Sequence, residues 1–456
     1  MNEKKYLKNW QKVAYGSGDM GSNFMFTFVS SFILIYLTNT VGMNSGIVGT
    51  LMMASKLLDG VTDVFFGGLM DNTKSKMGKA RPWMFWSTFP LALCEMLLFM
   101  IPNTSEFIQY AYFFIIYTLL NAVFYTANNI AYGSLTALMT KNPNERVQVG
   151  SIRFMFALVA GIGISSVTMG LVGTFGGNEG NFVAGWRMTA IVFSLLMVLF
   201  NMICVLSVKE VPEEDSVAGN KVPVTEKRSF ANNIKLLVSN KFYLLILSYY
   251  IVTYMLQGIS SGVGIYFCTY ALGDPSLLGL ISMAGMIPII IGLAVTPMLV
   301  KKFGTYRVNL TGLIISVIFS IPVVIFGYMG NLPLFLASQM IKGLGSAPMI
   351  GTLYAVIADA AQYTFLKDNV HLDGTMYSCS SMGMKLGSGI GSAICGWLLA
   401  LSGYNGLVEI QTAGAINMIR FMYLAIPAAA SVLVVIIVAS LNVQKAVKEL
   451  ETATQA

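Results

Sequence analysis

The sequence has little charge and almost no histidine. Only 11% of its 456 residues are Asp, Glu, Lys or Arg, compared with about 25% in an average soluble domain, and its mean hydropathy is +0.70. This composition excludes a soluble globular protein and predicts an integral membrane protein. The single histidine, His371, falls in a predicted loop, so we do not expect a proton relay built on histidine.

The cysteines are few and scattered. All of them fall in apolar segments, and their spacing matches no metal or redox motif. We interpret them as small hydrophobic core residues and expect neither a disulfide nor a metal cluster. No constellation typical of an enzyme active site occurs either, so the sequence does not predict an enzyme. The cysteines are Cys94, Cys204, Cys268, Cys379 and Cys395.

Long apolar segments are abundant. A transmembrane helix needs about 20 apolar residues, and twelve segments approach or exceed this length. The first is too long for a cleavable signal peptide and contains Asp19 and Asn23, so we interpret it as the first membrane helix. The segments are 14–38, 46–69, 83–101, 108–139, 150–174, 186–208, 241–271, 277–300, 308–328, 332–358, 375–402 and 413–441.

Lysine and arginine occur in alternate connections between these segments. The positive-inside rule assigns such connections to the cytoplasm, and an even number of segments places both termini on that side. We therefore predict a multi-pass protein of the cell membrane with cytoplasmic N- and C-termini. The net charge of +7 then reflects topology and does not indicate a nucleic-acid partner. Arg187, just past the connection 175–185, is the nearest exception. The basic residues in or beside the connections assigned to the cytoplasm are Lys4, Lys5, Lys8, Lys12, Lys74, Lys76, Lys79, Arg81, Lys141, Arg146, Lys209, Lys221, Lys227, Arg228, Lys235, Lys241, Lys301, Lys302, Arg307, Lys367, Lys445 and Lys448.

One extended polar segment, 209–240, divides the chain into two halves with six apolar segments each. KMGKAR at 76–81 and KFGTYR at 302–307 share the pattern K-x-G-x-x-R after the second and eighth segments. Such a match at equivalent turns is typical of a parallel repeat, in which substrate binds near the membrane midplane between the halves. We predict an all-α integral membrane protein with twelve transmembrane helices in two six-helix bundles, 1–208 and 241–456, joined by a cytoplasmic linker.

The second apolar segment contains acidic residues. Asp59 and Asp63 have i, i+4 spacing, and Lys56 precedes Asp59 by three residues, so all three lie on one helix face. An ionised carboxylate near the bilayer centre costs roughly 2.5–3.5 kcal/mol on insertion scales. Two close carboxylates can bind Na⁺ through hard oxygen ligands or carry a proton, although a polar helix contact is also compatible with the pattern. Asp71, beside Lys74, is interpreted as a gating or turn-stabilising residue.

Several motifs together resemble one transporter family. They are D59-x3-D63-x3-G67-x3-D71-x6-GKARPW, YTANNIAYGSL at 125–135, SIRFMF at 151–156 and HLDGTMYSCSSMGMKLGSGIG at 371–391. The sequence closely resembles the glycoside-pentoside-hexuronide:cation symporters, the branch of the major facilitator superfamily that includes melibiose permease. The resemblance covers nearly the whole chain and implies the major facilitator fold.

The resemblance also implies roles for individual residues. Asp59 and Asp63 match the cation-site carboxylates, which would hold Na⁺ if the protein is sodium-coupled, with Thr62 and Thr126 nearby. The expected coupling ion is Na⁺ or H⁺, and no cofactor is expected. Substrate-binding positions are matched by Asp19, Tyr125, Asn129, Arg153, Ser381 and Lys385. Apart from the resemblance, we interpret Lys56, Asp71 and Arg81 as gating or structural residues from their positions in the sequence.

Five positions depart from the melibiose or family pattern, and one of them is Val64, which replaces the proline often found after the second aspartate. Asn129 replaces an aspartate, Gly133 a tryptophan and Gly18 a lysine, which argues against galactoside specificity. Thr62 replaces an asparagine near the cation and leaves the choice between Na⁺ and H⁺ open. Three further intramembrane charges have no assigned partner: Glu95, Lys342 and Arg420.

The sequence therefore predicts a secondary active symporter that imports a glycoside or related sugar, such as an oligosaccharide, pentoside or hexuronide. A lipid or drug transporter on the same scaffold is an alternative, but it would need a largely apolar cavity. A membrane sensor without transport is another, and it would be expected to carry a soluble output domain. The expected partners are a small sugar, a monovalent cation and the lipid bilayer, and we expect the monomer to be functional.

Overall fold

The computed structural model describes residues 5–140, 142–177, 181–211, 238–368, 373–408 and 410–455, and their regular structure is helical. His371 lies outside the described residues. The α-helices are α1 (Asn9–Ile35), α2 (Ser45–Asp71), α3 (Arg81–Leu98), α4 (Glu106–Thr118), α5 (Thr126–Leu138), α6 (Pro143–Gly176), α7 (Phe182–Ser207), α8 (Lys241–Tyr266), α9 (Leu277–Phe303), α10 (Thr305–Met329), α11 (Leu332–Asp368), α12 (Asp373–Leu401), α13 (Ala413–Arg420), α14 (Ile426–Ala439) and α15 (Val443–Gln455).

Ten stretches of helix in the described residues are long and apolar enough to cross a membrane. They include every predicted segment except the second and third, which correspond to α2 and α3. These two helices have 27 and 18 residues and carry charges within them, notably Asp59 in α2 and Glu95 in α3. The all-α membrane architecture is confirmed, and the two charged helices are consistent with a total of twelve spans.

Four short π-helical segments within the described residues interrupt or extend the spans. They are Tyr36–Val41, Leu119–Tyr125, Phe267–Ala271 and Phe421–Ala425. The first and third follow α1 and α8, the first helices of the two predicted halves, so they occupy equivalent places in the predicted repeat. Such segments occur frequently at functional sites, and here Leu119–Tyr125 leads directly into Thr126. The hydrophobic pattern of the sequence did not indicate them.

The chain forms two compact units. Unit 1 comprises Met1–Val217, Ser261–Ser282 and Ser392–Met418, and unit 2 comprises Ala218–Ser260, Met283–Gly391 and Ile419–Ala456. The predicted domains 1–208 and 241–456 stay a prediction. Most of the predicted linker, from 212 to 237, lies outside the described residues.

Within unit 1, α1 packs against α6 and α7 over much of its length. Phe28 lies at the centre of an aromatic cluster in which its ring centroid is 4.4 Å from that of Phe99 and 5.0 Å from that of Phe193. Trp186 stacks on Phe99 with a centroid distance of 5.9 Å. Offset and edge-to-face aromatic pairs contribute about 0.5–1.5 kcal/mol each beyond the apolar area they bury. This cluster fixes α1, which carries Asp19, relative to its neighbours.

Within unit 2, α10 and α11 pack closely because glycines face each other. A Cβ added to Gly312 would lie 2.5 Å from the carbonyl oxygen of Gly345, so any larger residue would force the two helices apart. The tail helix α15, which the apolar pattern of the sequence did not indicate, packs on α11. Its Val443 is buried, and Ala446 and Val447 pack against the hydrophobic core. The polar face of α15 is therefore left at the surface.

Candidate functional site

The carboxylate of Asp59 lies buried inside unit 1, with 3% of the residue exposed. Thr126, at the start of α5, donates a hydrogen bond from Oγ1 to Asp59 Oδ1 at 2.5 Å. Lys56, one turn earlier on α2, places Nζ 3.8 Å from Asp59 Oδ2. The structure therefore brings together three residues that sequence patterns suggested, although Thr126 is 67 residues away from Asp59.

Asn121 joins this group and was not predicted from sequence. Lys56 Nζ donates to Asn121 Oδ1 at 2.8 Å, and Thr126 Oγ1 also lies 3.1 Å from the Asn121 carbonyl oxygen. The second contact spans five residues because residues Leu119–Tyr125 are π-helical. The local change in helix geometry thus orients the Thr126 hydroxyl, which sits between a backbone carbonyl and the Asp59 carboxylate.

Asp63 and Thr62 lie on α2, one turn beyond Asp59. Both residues are partly exposed, unlike Asp59. The Thr62 hydroxyl donates to the Asp59 carbonyl oxygen at 3.1 Å, so in this conformation it bonds to its own helix. Asp63 provides a second, more accessible carboxylate on the same helix face as Asp59. In the described part of the chain, no group of three or more His, Cys, Asp or Glu side chains has the arrangement of a metal site.

Asp19 and Arg153 form an ion pair between α1 and α6. Arg153 Nε lies 3.3 Å from Asp19 Oδ2, and the two side chains are 31% and 13% exposed, respectively. The Arg153 guanidinium carbon also lies 4.6 Å from the centre of the Tyr132 ring. Both side chains are therefore partly exposed.

Two stacked tyrosines lie beside this ion pair. The rings of Tyr15 and Tyr132 stack with centroids 4.6 Å apart, and each hydroxyl donates to the backbone carbonyl of the other residue, at 3.0 and 2.9 Å. Gly18 makes this stack possible, because a Cβ added there would lie 2.6 Å from the Tyr132 ring. A lysine at position 18, as in the melibiose pattern, would require Tyr132 to move.

Two predicted substrate residues lie near the start of α5. Tyr125 stacks on Phe26 of α1 with a centroid distance of 5.9 Å. Asn129, one turn further, is partly exposed. Gly133 follows after another turn, and a Cβ added there would meet no described atom within 4 Å. The Asn129 side-chain amide therefore lies one turn from Gly133, a position with no atoms packed against it.

The remaining two predicted substrate residues belong to unit 2. Ser381 and Lys385 lie one turn apart on α12, and both are partly exposed. Gly387, further along the same helix, packs against α8, because a Cβ added there would lie 2.4 Å from the Ile251 carbonyl oxygen. Close packing of this kind fixes the rotation of α12, and hence the face that carries Ser381 and Lys385.

Arg81 anchors the loop between α2 and α3. Its Nε and Nη2 donate to the Val205 carbonyl oxygen at 3.0 and 2.7 Å. Glu210, which no sequence pattern indicated, accepts hydrogen bonds from the backbone amides of Lys79, Ala80 and Arg81 at 2.8, 2.9 and 3.0 Å. A carboxylate at a helix N-terminus is favoured by the free amides and the helix dipole. Asp71 ends α2, and its side chain lies outside the described residues.

The three intramembrane charges differ in their surroundings. Glu95 is completely buried and accepts a hydrogen bond from Ser194 Oγ at 2.9 Å, while its Oε1 has no partner among the described residues. Arg420 Nε likewise has none in the described part of the chain. Lys342 lies within α11, on the side of the helix that carries Ser338 and Gly345. The structure thus places Glu95 at the interface between α3 and α7.

A cluster of hydroxyl and amide groups at the end of α1 was also missed. Thr38 Oγ1 lies 2.8 Å from Tyr266 Oη, and Asn39 Nδ2 donates to Tyr270 Oη at 2.6 Å. Tyr404 donates to Asn39 Oδ1 at 2.6 Å. We call these five residues the outer hydroxyl cluster, since the orientation predicted from the lysines and arginines places this end of the first apolar segment outside. Their sequence signal was the polar pair Thr38-Asn39 at the end of the first apolar segment.

Comparisons with known proteins identify related sequences over nearly the full chain. The family model described as MFS/sugar transport protein matches residues 14–445. The chain is 28% identical over 428 residues to the isoprimeverose transporter of Lactiplantibacillus pentosus, covering 93% of this chain and 86% of that protein. It is 26% identical over 417 residues to the putative glycoside/cation symporter YagG of Escherichia coli (strain K12), covering 91% of this chain and 88% of that protein.

Solved structures show the same fold. A bacterial homologue of the human lysosomal transporter Spinster, in an inward-facing and unoccupied conformation, aligns with a TM-score of 0.73 and 14% identity, covering 98% of this chain and 99% of that one. The D-xylose-proton symporter aligns with a TM-score of 0.64 and 15% identity, covering 94% of this chain and 97% of that one. At such low identity, these matches establish the fold alone.

Proposed function

The chain belongs to the family of MFS/sugar transport proteins, and from this premise we propose that it imports a glycoside together with a monovalent cation, using two separate polar sites in unit 1. It is a multi-pass membrane protein with the major facilitator fold, and it is a sugar symporter, not an enzyme. The proposal concerns the class of sugar, the coupling ion and the residues that bind each.

The observation that carries this proposal is the buried carboxylate of Asp59. Its Oδ1 accepts the Thr126 hydroxyl, and its Oδ2 lies 3.8 Å from Lys56. A carboxylate in this environment is costly to keep in the membrane, and such groups commonly mark ion pathways. With Asp63 one turn away, the site offers the hard oxygen ligands that Na⁺ prefers and carboxylates that can accept a proton.

The proposed sugar site is the Asp19–Arg153 ion pair. A carboxylate can accept hydrogen bonds from two sugar hydroxyls, and a guanidinium presents fixed donors that orient it. Tyr125 provides an aromatic face beside this pair. Gly18 and Gly133 give the surroundings a shape different from the melibiose pattern, which supports a glycoside other than a galactoside. The names of the relatives, an isoprimeverose transporter and a putative glycoside/cation symporter, support the same substrate class.

Coupling follows if the cation at Asp59 and Asp63 favours the sugar-competent conformation. Each ligand must then raise the affinity of the other by the same factor. Moving one charge inward through 100 mV supplies about 2.3 kcal/mol. At about 1.4 kcal/mol per tenfold, this sustains roughly a fortyfold sugar gradient before any ion gradient is counted.

The test is uptake into vesicles that contain the purified protein. A panel of labelled glycosides, pentosides and hexuronides is offered with a Na⁺ gradient, a proton gradient or neither. We expect uphill accumulation of at least one glycoside with one of the two gradients. Accumulation that needs neither gradient, or transport restricted to apolar compounds, would contradict the proposal. The ion pair at Asp19 and Arg153 disfavours a carrier for lipids or apolar drugs, because a charged pair would lie in the path of an apolar ligand.

The proposed orientation places both termini in the cytoplasm of a cell-membrane protein that functions as a monomer. Alternation of the lysines and arginines supports this arrangement. Reporters fused near residues 75, 225 and 452 should be cytoplasmic, and reporters near 42, 104 and 330 should be external. An external reporter at 225 would contradict the orientation. Whether the monomer transports can be tested by reconstituting the protein at one copy per vesicle and measuring sugar uptake.

A further inference from the structure

A groove opens in unit 2 where the ends of three helices meet. α9 ends at Phe303, α10 begins at Thr305 and α14 ends at Ala439, after which the chain enters α15. The cavity has a volume of about 830 Å³, and its lining includes Phe303, Tyr306, Arg307, Lys445, Lys448 and Glu449. These three helices belong to stretches that are long and apolar enough to cross a membrane, so we expect their ends near the lipid headgroups. We call this cavity the basic groove.

Charge in the basic groove is predominantly positive. Arg307, Lys445 and Lys448 contribute three cationic groups, and Glu449 is the one acidic lining residue. Lys445 Nζ lies 3.8 Å from Glu449 Oε1, but both side chains are largely exposed, at 73% and 66%. Such a surface ion pair is weak, so it does not neutralise the groove. Lys301 and Lys302 add two more positive charges in the last turn of α9.

The walls of the groove are held in place. The apolar face of α15 packs against the core through Val443, Ala446 and Val447, which leaves Lys445 and Lys448 on the other face. On the opposite wall, the Tyr306 hydroxyl donates to the Ala439 carbonyl oxygen at 2.8 Å. Phe303 is half exposed at the rim.

We propose that the basic groove binds the headgroup of an anionic phospholipid. The phosphate would contact Arg307, Lys445 and Lys448, while Phe303 and the ends of the membrane helices would contact the first part of the acyl chains. Clusters of Lys and Arg beside a transmembrane helix commonly bind anionic lipid headgroups. The site differs from the proposed sugar and cation sites, which lie in unit 1, and it does not depend on their assignment.

The test measures lipid retention by the purified full-length chain. Protein in detergent is mixed with phosphatidylglycerol or phosphatidylcholine, and bound lipid is counted by native mass spectrometry. The wild type should retain phosphatidylglycerol in preference to phosphatidylcholine. Each cationic residue near an anionic lipid is worth roughly a fivefold change in affinity. The triple variant Arg307→Gln, Lys445→Gln, Lys448→Gln should therefore lose about a hundredfold.

A matched control removes three basic residues elsewhere, through Lys8→Gln, Lys74→Gln and Lys76→Gln, all of them exposed. This control should keep the preference for phosphatidylglycerol. Equal loss in both triple variants would mean that net charge alone attracts the lipid, and would overturn the proposal. Displacement of the lipid by millimolar inorganic phosphate would also overturn it, because the groove would then be a site for free phosphate. Both triple variants must give the same melting temperature as wild type within a few degrees. If the groove variant unfolds, Lys448→Gln alone, at an exposed position, provides the same comparison with Lys76→Gln.

Discussion

Tyr404 and Asn39, which are 365 residues apart in the chain, are joined by a hydrogen bond of 2.6 Å from the tyrosine hydroxyl to Asn39 Oδ1. The same hydroxyl lies 3.1 Å from Tyr270 Oη. Nearby, Trp397 Nε1 donates to Thr50 Oγ1 at 2.8 Å. These contacts join the ends of helices from both predicted halves within unit 1. Alternating access requires such ends to separate, so we expect the outer hydroxyl cluster to hold one side of the transporter closed.

Weakening the outer hydroxyl cluster should open that side. Tyr404→Phe removes two hydrogen bonds, each worth about 1 kcal/mol, so the open conformation should gain roughly tenfold or more in population. The measurement is labelling of a single reporter, Thr50→Cys, by a membrane-impermeant thiol reagent in a background without the native cysteines. Tyr306→Phe, which alters a tyrosine outside the cluster, is the control. Unchanged labelling in Tyr404→Phe would show that the cluster does not limit opening.

Loss of charge at Asp59 should uncouple transport. In Asp59→Asn the amide cannot hold the cation as a carboxylate does, so uphill accumulation should disappear while downhill sugar exchange continues. Asp63→Asn should behave in the same way. The measurement compares exchange in vesicles preloaded with sugar against uptake driven by the cation. If both variants still concentrate sugar, the paired aspartates are structural.

Thr126 provides a finer test of the same site. Its hydroxyl donates to Asp59 Oδ1, and a hydrogen bond to a charged group is worth about 1.5–3 kcal/mol. Thr126→Val, which keeps the shape, should therefore lower the apparent affinity for the coupling cation by roughly tenfold or more. Thr126→Ser should retain most of it. A titration of the cation at fixed sugar concentration measures the apparent cation affinity of both variants. If Thr126→Val has the same cation affinity as the wild type, Thr126 does not contribute to the cation site.

The Asp19–Arg153 pair should affect sugar affinity but not the ability to bind the cation. Asp19→Ala or Arg153→Ala leaves the other charge without its partner, so sugar binding should be abolished while cation binding stays detectable. Arg153→Lys keeps the charge but loses the planar fork of donors, and we expect weak binding. Equilibrium dialysis with labelled sugar, alongside the cation titration, separates the two effects. Normal sugar affinity in Asp19→Ala would place the substrate elsewhere.

Glu145 should make stability depend on pH. Burial by itself raises the pKa of this carboxyl, but hydrogen bonds from Thr140 and from the amides of Tyr6 and Leu7, together with nearby Lys12, outweigh burial and lower the pKa. A lowered pKa stabilises the fold above the ordinary value of about 4.3, and this contribution is lost as pH falls through the lower folded-state value.

Accordingly, Glu145→Gln should lower the melting temperature by a few degrees at pH 7, because hydrogen bonds to a charged group are worth about 1.5–3 kcal/mol. The difference from wild type should shrink below about pH 4. Thermal unfolding in detergent across this range provides the measurement, with Glu449→Gln as an exposed control. A difference that stays constant with pH would show that the Glu145 charge is unimportant.

Much of the fold was predictable because a membrane helix can be recognised from a local run of about 20 apolar residues. Apolar length located the spans, whereas the two halves indicated by a short repeated motif stay a prediction. Length alone did not set the helix ends: α6 begins at Pro143 and α11 continues to Asp368, beyond the apolar segments predicted at 150–174 and 332–358. The sequence also missed α15, although Val443, Ala446 and Val447 follow a helical period, because that helix is too polar to register as a membrane span.

For the candidate site, the sequence by itself determined which residues carry the chemistry and how neighbours on one helix are spaced. The i, i+3 spacing of Lys56 and Asp59 follows from helix geometry alone. Tertiary structure decided which distant side chains meet, as Thr126 meets Asp59 and Arg153 meets Asp19. It also decided that Glu210 fixes the amides before α3. These contacts depend on the rotation and depth of each packed helix, which arise from side chains filling space between helices and which no local period encodes.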